Sequence, residues 1–508
     1  MLSKIKTCVL YGLDGYEIDV ETDLSGGLPN FSIVGLPDAS IKESKERVRS
    51  AIKNSGFKFP VSRITVNLAP ANFKKEGSQI DLPIAIGILL ASKEINKNVD
   101  EKTCIIGELS LDGKITAFDG ALPMVISMLK NKYERIILPY DNREECGVIE
   151  GIKIIPVENL NDIVDYLNDK INIEPYFVSF NEVKNTEDYF EDFSEIKGQP
   201  AMKRAVEIAA AGMHNLLLLG SPGSGKTMIA RRIPTILPDL TQEESMEVTK
   251  IYSISGLLNL KGLIKKRPFR SPHHTSSRAA MAGGGSRPNP GEVSLSHYGV
   301  LFLDEIPEFP KSVLEVLRQP MEDGSITISR ANGSFIFPAK FMLVAAMNPC
   351  PCGYLGDPTH ECSCNQGQID KYLGKISGPL LNRFDMQLEI SPVKFDDLKG
   401  EGQEETSKEI KNRIINARKI QQERYKKIGI LTNSELSGKY IQIFCKHNKE
   451  SENLLKNAFE MLGLSARAYN KILKVSRTIA DLDGFDNIET KHVAEAIQYR
   501  SLDRKYWR

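Results

Sequence analysis

Gly220-Ser-Pro-Gly-Ser-Gly225-Lys226-Thr227 sets three glycines, a lysine and a hydroxyl at the spacing of a phosphate-binding loop. Glycines let successive backbone N–H groups turn inward around a polyphosphate, a lysine ammonium reaches its β/γ oxygens, and a threonine hydroxyl holds Mg²⁺. Gly220, Ser221, Pro222, Gly223, Ser224, Gly225, Lys226 and Thr227 are therefore the candidate nucleotide contacts. Further along, Gly299-Val-Leu-Phe-Leu-Asp304-Glu305 ends an apolar run in two carboxylates. Asp304 would join Thr227 in orienting the Mg²⁺ shell, and Glu305 would polarise an attacking water; the alternative is an acidic strand end facing solvent. Phe341-Met-Leu-Val-Ala-Ala346 delivers Asn348, whose amide can position that water, although an Asn after a strand also serves as a plain turn residue.

A second constellation is Cys350-x-Cys352-x9-Cys362-x-Cys364, in a loop rich in Gly and Pro with His360 as a spare ligand. Four thiolates are the set that a structural tetrahedral Zn²⁺ takes, and a loop of this size has little else to bury them against. The C-x-C spacing is tighter than the commoner C-x2-C, so reduced structural thiols and a redox role stay as alternatives. The other four cysteines, Cys8, Cys104, Cys146 and Cys445, are scattered, which in a reducing compartment favours buried free thiols over disulfides. No open catalytic metal site stands out.

These residues need elements to hold them. Asn215–Leu219 reads as a buried strand running into the glycine loop, and Met228–Ile233 as the helix after it, which is the context a phosphate loop requires. A chain of 508 residues is long enough for about three domains. Its 41% hydrophobic and 26% charged residues fit a folded soluble protein and exclude a disordered chain or a fibrous repeat. Lys+Arg and Asp+Glu both number 66, so any nucleic-acid contact must come from a local patch. The longest apolar stretch, Leu82–Ala91, is too short to span a bilayer. The charged N-terminal residues lack the apolar core of a signal peptide, so a cytoplasmic location is expected.

Residues 1–172 alternate strand patterns (Tyr16–Val20, Phe31–Val34, Ile64–Leu68, Cys104–Ile106, Ile136–Leu138, Ile152–Pro156) with helical ones (Ile41–Ser55, Leu82–Ser92, Gly120–Lys130, Leu160–Leu167), predicting an α/β or α+β domain. Residues 173–195 form an acidic stretch in which Glu174–Glu195 holds seven acids against one lysine, read as a linker with aromatic anchors that dock on its neighbours. Residues 196–395 alternate strand and helix with glycine-rich loops at strand ends, and 396–508 are helical, with 21 basic against 15 acidic residues from Gly400 onward. No internal repeat is evident.

The order of strand and phosphate loop, acid-ending strand, and strand with Asn resembles the AAA+ ATPases. Phe269-Arg-Ser-Pro-His-His274, Gly283-Gly-Gly285, Pro290-Gly-Glu292, the segment 326–341, Ala346-Met-Asn-Pro-Cys-Pro-Cys-Gly353 and Leu380-Leu-Asn-Arg-Phe-Asp385 narrow this to the ComM/YifB family of magnesium-chelatase-like AAA+ proteins, which the chain resembles over essentially its whole length. The resemblance implies a multidomain α/β protein: a ribosomal-protein-S5-like, Lon-like α+β domain, an AAA+ domain with a parallel sheet, and an α-helical C-terminal lid. It gives Lys226, Thr227, Asp304 and Glu305 the Walker roles and makes Asn348 sensor 1. Arg383 becomes an arginine finger reaching the ATP of the next subunit, and Arg467 sensor 2 on the lid. A guanidinium near the γ-phosphate would stabilise charge developing in transfer, the alternative for each being a surface ion pair. A finger acting in trans implies a ring, and the family resemblance a hexamer.

Two insertions look like working parts. Ser255–Ser296, in the 78 positions between Lys226 and Asp304, resembles a helix-2 insert. Ser325–Phe337 alternates apolar and polar residues around Asn332-Gly333, a hairpin signal, placed where related ring helicases carry a presensor-1 hairpin. Arg330, Asn332 and Lys340, with Arg270, Arg278 and Arg287 of the insert, are the candidate DNA contacts. The alternative is a hairpin that only packs subunit to subunit.

Ala69–Pro83, Ile106–Gly113 and Ile137–Pro139 resemble the proteolytic domain of Lon, but the nucleophile position falls on Gln79 and the lysine position on Pro123. Neither does nucleophilic chemistry, and Ser78 next door lacks a partner lysine, so no peptidase activity is expected. The resemblance as a whole implies a Mg²⁺-dependent ATPase ring acting as a translocase on single-stranded or branched DNA, with branch migration of recombination intermediates in natural transformation as its task. A chelatase-type motor or protein-remodelling ATPase that ignores DNA is the rival, and a nucleotide-gated scaffold the non-enzyme reading.

Overall fold

The computed structural model describes residues 1–183, 191–258, 262–285, 289–330, 333–392 and 404–506. The chain divides into two compact units, residues 1–186 with 242–264, and residues 187–241 with 265–508.

The first unit is built on a seven-stranded sheet of order β3-β4-β2-β1-β5-β8-β9. Its strands are β1 (Leu2–Tyr11), β2 (Asp14–Ser25), β3 (Asn30–Val34), β4 (Arg63–Ala69), β5 (Thr103–Ile105), β8 (Arg135–Pro139) and β9 (Lys153–Val157), with β6 (Glu108–Leu109) and β7 (Ile115–Thr116) forming a separate ribbon. β1 and β2 are an antiparallel hairpin in register from Leu2↔Asp23 to Tyr11↔Asp14, whereas β5, β8 and β9 run parallel. The helices are α1 (Ala39–Asn54), α2 (Asp81–Ala91), α3 (Ala121–Lys130), α4 (Arg143–Cys146) and α5 (Leu160–Leu167). α2 is buried on nearly every side, as its apolar run from Leu82 onward requires, and its first residue, the buried Asp81, is paired with Arg47. The helix approaches β2 closely enough that a Cβ on Gly87 would lie 2.6 Å from the Thr22 hydroxyl.

Each expected strand and helix of residues 1–172 has a counterpart within a few residues. The observed strand β1 has no counterpart among the expected elements: its buried positions include Ser3, Thr7 and, on the other face, Cys8, so the apolar contrast that marks a strand is weak there. The expectation of contiguous domains also differs from the structure at residues 242–264, which lie inside the span read as ATPase yet pack with the first unit. The helix Gln242–Ile254 lies against α3, the Ser253 hydroxyl donating to Glu145 Oε2 (2.9 Å) and accepting the Gly120 N–H (3.1 Å). Of the acidic stretch, Tyr176 bridges to Ile154 in the first unit and Phe193 is fully buried in the second, while 184–190 lie outside the described residues.

The second unit carries a five-stranded parallel sheet, β11-β14-β17-β10-β18, from β10 (Leu216–Gly220), β11 (Phe269–Arg270), β14 (Val300–Leu303), β17 (Met342–Met347) and β18 (Met386–Ile390). Its inner strands are fully buried, and alternate residues feed two cores. Leu216, Leu218, Phe302 and Val344 face α6 (Pro200–Gly212), α7 (Lys226–Ile236) and the C-terminal helices, and Leu217, Leu219, Leu301 and Leu343 face the helices 311–316 and 366–373. Two ribbons form separate two-stranded sheets, β12 (Gly283–Gly284) with β13 (Asn289–Pro290) and β15 (Ser325–Arg330) with β16 (Gly333–Pro338). The C-terminal lid packs Ser407–Tyr425, Lys449–Leu462, Ala466–Leu482 and Thr490–Gln498, with Thr406, Asn448 and Ser465 accepting helix N–H groups at the first three N-termini.

Burial raises the Glu145 carboxyl to about 7, although Asn142 and Ser253 donate to it. An acid whose pKa is higher folded than unfolded loses stability as pH rises, here between about 4.5 and 7. Glu145→Gln should therefore melt higher than the parent at pH 8, by up to about 3 kcal/mol, and alike at pH 4, as read by thermal unfolding.

Candidate nucleotide and metal sites

Three adjacent strands deliver the candidate ATP site at their carboxyl ends, where open parallel sheets bind ligands. β10 runs into the glycine loop, β14 into Asp304 and Glu305, and β17 into Asn348. Gly223 and Gly225 take φ of 78° and 88°, the left-handed region that lets the loop N–H groups turn inward. Lys226 Nζ donates to the carbonyls of Gly220 (2.7 Å) and Ser221 (2.9 Å) and to Asn348 Oδ1 (3.2 Å). Burial lowers its pKa, opposed by Asp304 and Glu305. The Thr227 hydroxyl donates to Asp304 Oδ2 at 2.6 Å, so the two candidate Mg²⁺ ligands already touch. Glu305 is exposed and holds φ of 49°, strained for a residue with a side chain, with its N–H on Asp304 Oδ1 (3.0 Å). The sequence-derived set Lys226, Thr227, Asp304, Glu305 and Asn348 is thus gathered at one edge, with donors for phosphate, carboxylates for a divalent cation and a carboxylate open to water.

The four cysteines also converge. Their Sγ atoms all lie within 4.8 Å of one another, with Cys350–Cys352, Cys352–Cys362 and Cys350–Cys362 at 3.4, 3.5 and 3.7 Å. Sulfurs about 2.3 Å from a tetrahedral Zn²⁺ would be about 3.8 Å apart, so the set fits that ion. The backbone N–H groups of Tyr354 and Ser363 bring the Cys352 thiol down to about 5. His360 stands outside the cluster, stacked on Tyr354 with ring centres 4.8 Å apart.

Arg383 lies before the amino end of β18, whereas the phosphate loop follows the carboxyl end of neighbouring β10, in register Leu216↔Met386 to Gly220↔Ile390. About five strand residues at 3.3 Å each separate it from its own nucleotide loop. Its guanidinium bonds Glu322 and the Pro379 carbonyl (3.1 Å). Arg467 is exposed in the first turn of the lid helix Ala466–Leu482 and makes no hydrogen bond or ion pair with the described residues. The same helix carries Lys471, which bonds the Phe384 carbonyl (2.9 Å) and the buried Asp385 (3.0 Å), clamping the segment that bears Arg383.

Three family models tile the chain: "Magnesium chelatase, subunit ChlI" over residues 192–398, "Subunit ChlI of Mg-chelatase" over 20–142, and "Magnesium chelatase, subunit ChlI C-terminal" over 404–500. The competence protein ComM of Haemophilus influenzae is 44% identical over 498 residues, 97% of this chain and 96% of that protein. The chain belongs to the ComM/YifB family of magnesium-chelatase-like AAA+ ATPases. The uncharacterized protein YifB of Escherichia coli is 42% identical over 99% of the chain and 98% of that protein, and Lon protease 2 of Bacillus subtilis 26% over 28% of the chain and 26% of that protein. A ComM/YifB-type chain is an ATP-hydrolysing enzyme that uses Mg²⁺ and works in an oligomeric assembly. Among the described residues no helix is long and apolar enough to cross a membrane.

The β15–β16 ribbon forms where the sequence predicts it, with Ile326, Ile328, Phe335 and Phe337 on its buried face and Thr327, Ser329, Ser334 and Ile336 outward. Arg330 ends β15, and Asn332, like Arg287, lies outside the described residues. Arg278 is exposed and without a partner among them, while Lys340 pairs with Glu435 at 3.3 Å. Arg270 is held by Glu292 through two bonds of 2.7 Å, so its charge is met within the chain and a phosphate would have to compete with that carboxylate. In the first unit Gln79 is buried with its amide on the Glu76 carbonyl, Pro123 is buried in α3, and the Ser78 hydroxyl bonds Glu108. Sequence reasoning missed Lys471, and also Asp357, whose carboxyl is held well below the usual carboxylate range by Thr359 first and with a contribution from Ser221 of the phosphate loop. An Asp before Pro in a polar loop reads as a turn residue, and nothing in its spacing says otherwise.

Two measurements check the site. Glu305→Gln should keep ATP binding and lower kcat by about 10² or more, as removal of a general base does. Lys471→Met should lower thermal stability by about 3 kcal/mol at pH 7, since it strips the partner from a buried carboxylate that Lys471 and His214 hold ionised, and the loss should shrink when Asp385→Asn is added.

Proposed function

We propose that this protein is a Mg²⁺-dependent, ring-forming AAA+ motor that moves along single-stranded or branched DNA and promotes branch migration during uptake of DNA in natural transformation. Lys226 binds the β/γ-phosphates, Thr227 and Asp304 hold Mg²⁺, Glu305 activates the water and Asn348 orients it. Arg383 completes the site of the next subunit and Arg467 senses the nucleotide from the lid, in a hexamer of cytoplasmic location. A Zn²⁺ on Cys350, Cys352, Cys362 and Cys364 is structural. Residues 1–172, without a nucleophile–lysine pair, scaffold the ring or touch DNA and do not cleave peptides; 173–195 link them to the ATPase domain 196–395 and the lid 396–508.

The observation that carries the DNA step is the two-stranded ribbon inserted directly before the Asn348 strand, with hydroxyls on its outer face and Arg330 at its tip. The 44% identical relative is a competence protein, which points the same way. The family models name a magnesium chelatase subunit, which keeps a DNA-indifferent motor as the second reading. ATP hydrolysis by the parent and Lys226→Ala, with and without single-stranded and forked DNA across a salt series, separates them. DNA should stimulate turnover, the stimulation should fade with salt as phosphate contacts are screened, and Lys226→Ala should abolish it. Robust turnover that ignores DNA would overturn the DNA step in favour of a chelatase-type motor or a protein-remodelling ATPase.

A further inference from the structure

The four-cysteine loop and the phosphate loop are physically joined. Asn348, which meets the Lys226 ammonium, is two residues before Cys350, the most buried of the four thiols. Next to Cys352, Gly353 takes φ of 89° and lies so close to the glycine loop that a Cβ there would sit 2.6 Å from Pro222 Cδ and 3.8 Å from the Asn348 amide carbon. Between the two cysteine pairs, Asp357 accepts the Thr359 hydroxyl (2.7 Å) and N–H (2.8 Å) and the His360 N–H (3.0 Å), and Thr359, with a contribution from the Ser221 side chain of the phosphate loop, holds its carboxyl well below the usual carboxylate range. The segment that follows β17 therefore meets the phosphate-binding loop at Pro222 and supplies the amide facing Lys226. A loop of this kind has no sheet or helix of its own to fix it between Cys350 and Cys364. The turn around Asp357 and the sulfur cluster fix it from within, and a metal ion would lock the cluster.

We infer that the four-cysteine centre, loaded with Zn²⁺, acts as a positioning element for nucleotide binding: it fixes the Gly353 and Asp357 contacts that hold the phosphate loop open for ATP. This rests on the zinc reading of the cluster. Asp357 is a positioning residue, acting on nucleotide through Ser221.

The test uses the full-length protein, with zinc content and the affinity of a fluorescent ATP analogue as readouts. The parent should hold one Zn²⁺ per chain. Chelation should weaken nucleotide affinity roughly tenfold or more, as loss of an outer-shell contact does, and readdition of Zn²⁺ should restore it. Asp357→Ala should retain zinc yet bind the analogue roughly tenfold more weakly, with KM for ATP raised and kcat near the parent's, and Asp357→Asn, which keeps an acceptor for the Thr359 and His360 N–H groups that set the turn, should recover part of the loss. A parent free of zinc would overturn the zinc reading itself. Zinc removed with affinity unchanged, or Asp357→Ala binding nucleotide like the parent, would overturn the coupling while leaving the metal site in place.

Discussion

A buried ammonium is the constraint around which the second unit is arranged. Lys226 stands at the carboxyl edge of a sheet whose strands are sealed on both faces, and a cation there requires partners from every side. Carbonyls of its own loop, the Asn348 amide and the field of Asp304 and Glu305 supply them. Because those partners come from three strands, their placement depends on register: β10 against β17 sets Leu219 beside Met347, and β17 against β14 sets Ala345 beside Leu303. A slip of one residue would invert each strand, sending Leu217 and Leu219 into the opposite core and pulling Asn348 away from the lysine. The two hydrophobic cores therefore do more than stabilise; they fix the geometry of a charged site.

The opposite edge of the same sheet obeys a related rule with the signs exchanged. Asp385 is a buried carboxylate, and the Asn215 N–H, Lys471 and the nearby His214 ring answer it. The lid helix thus reaches the amino edge through Lys471 while its first turn, with Arg467, is free of it. One rigid helix holds a cation at each of two places, and a tilt of that helix moves both.

Much of this was legible in the chain. The glycine loop, the apolar run ending in Asp304 and Glu305, and the hairpin around Gly333 are local patterns whose residues are neighbours in sequence, and each folds as its pattern dictates. Four cysteines within fifteen residues announce their convergence for the same reason. What sequence could not show was long-range or chemically plain. β1 hides because small polar side chains are tolerated on its inward face. Asp357 and Ser221 are more than a hundred positions apart in the chain, and Glu292, the partner of Arg270, lies on a separate element. Pairing of that kind depends on tertiary distance, for which spacing along the chain carries no signal.

The departure of residues 242–264 from the ATPase span has a consequence for inheritance. The chain passes between its two units three times, once near residue 187 and again at 241–242 and 264–265. Val248 and Ile251 of that segment are nearly fully buried, and Met246 packs against the core of the first unit. A gene fusion or truncation with a single junction in the acidic stretch would leave this apolar face bare, inviting aggregation rather than a lone working ATPase. The first unit is accordingly not a detachable module, and exchange between relatives must carry both pieces together.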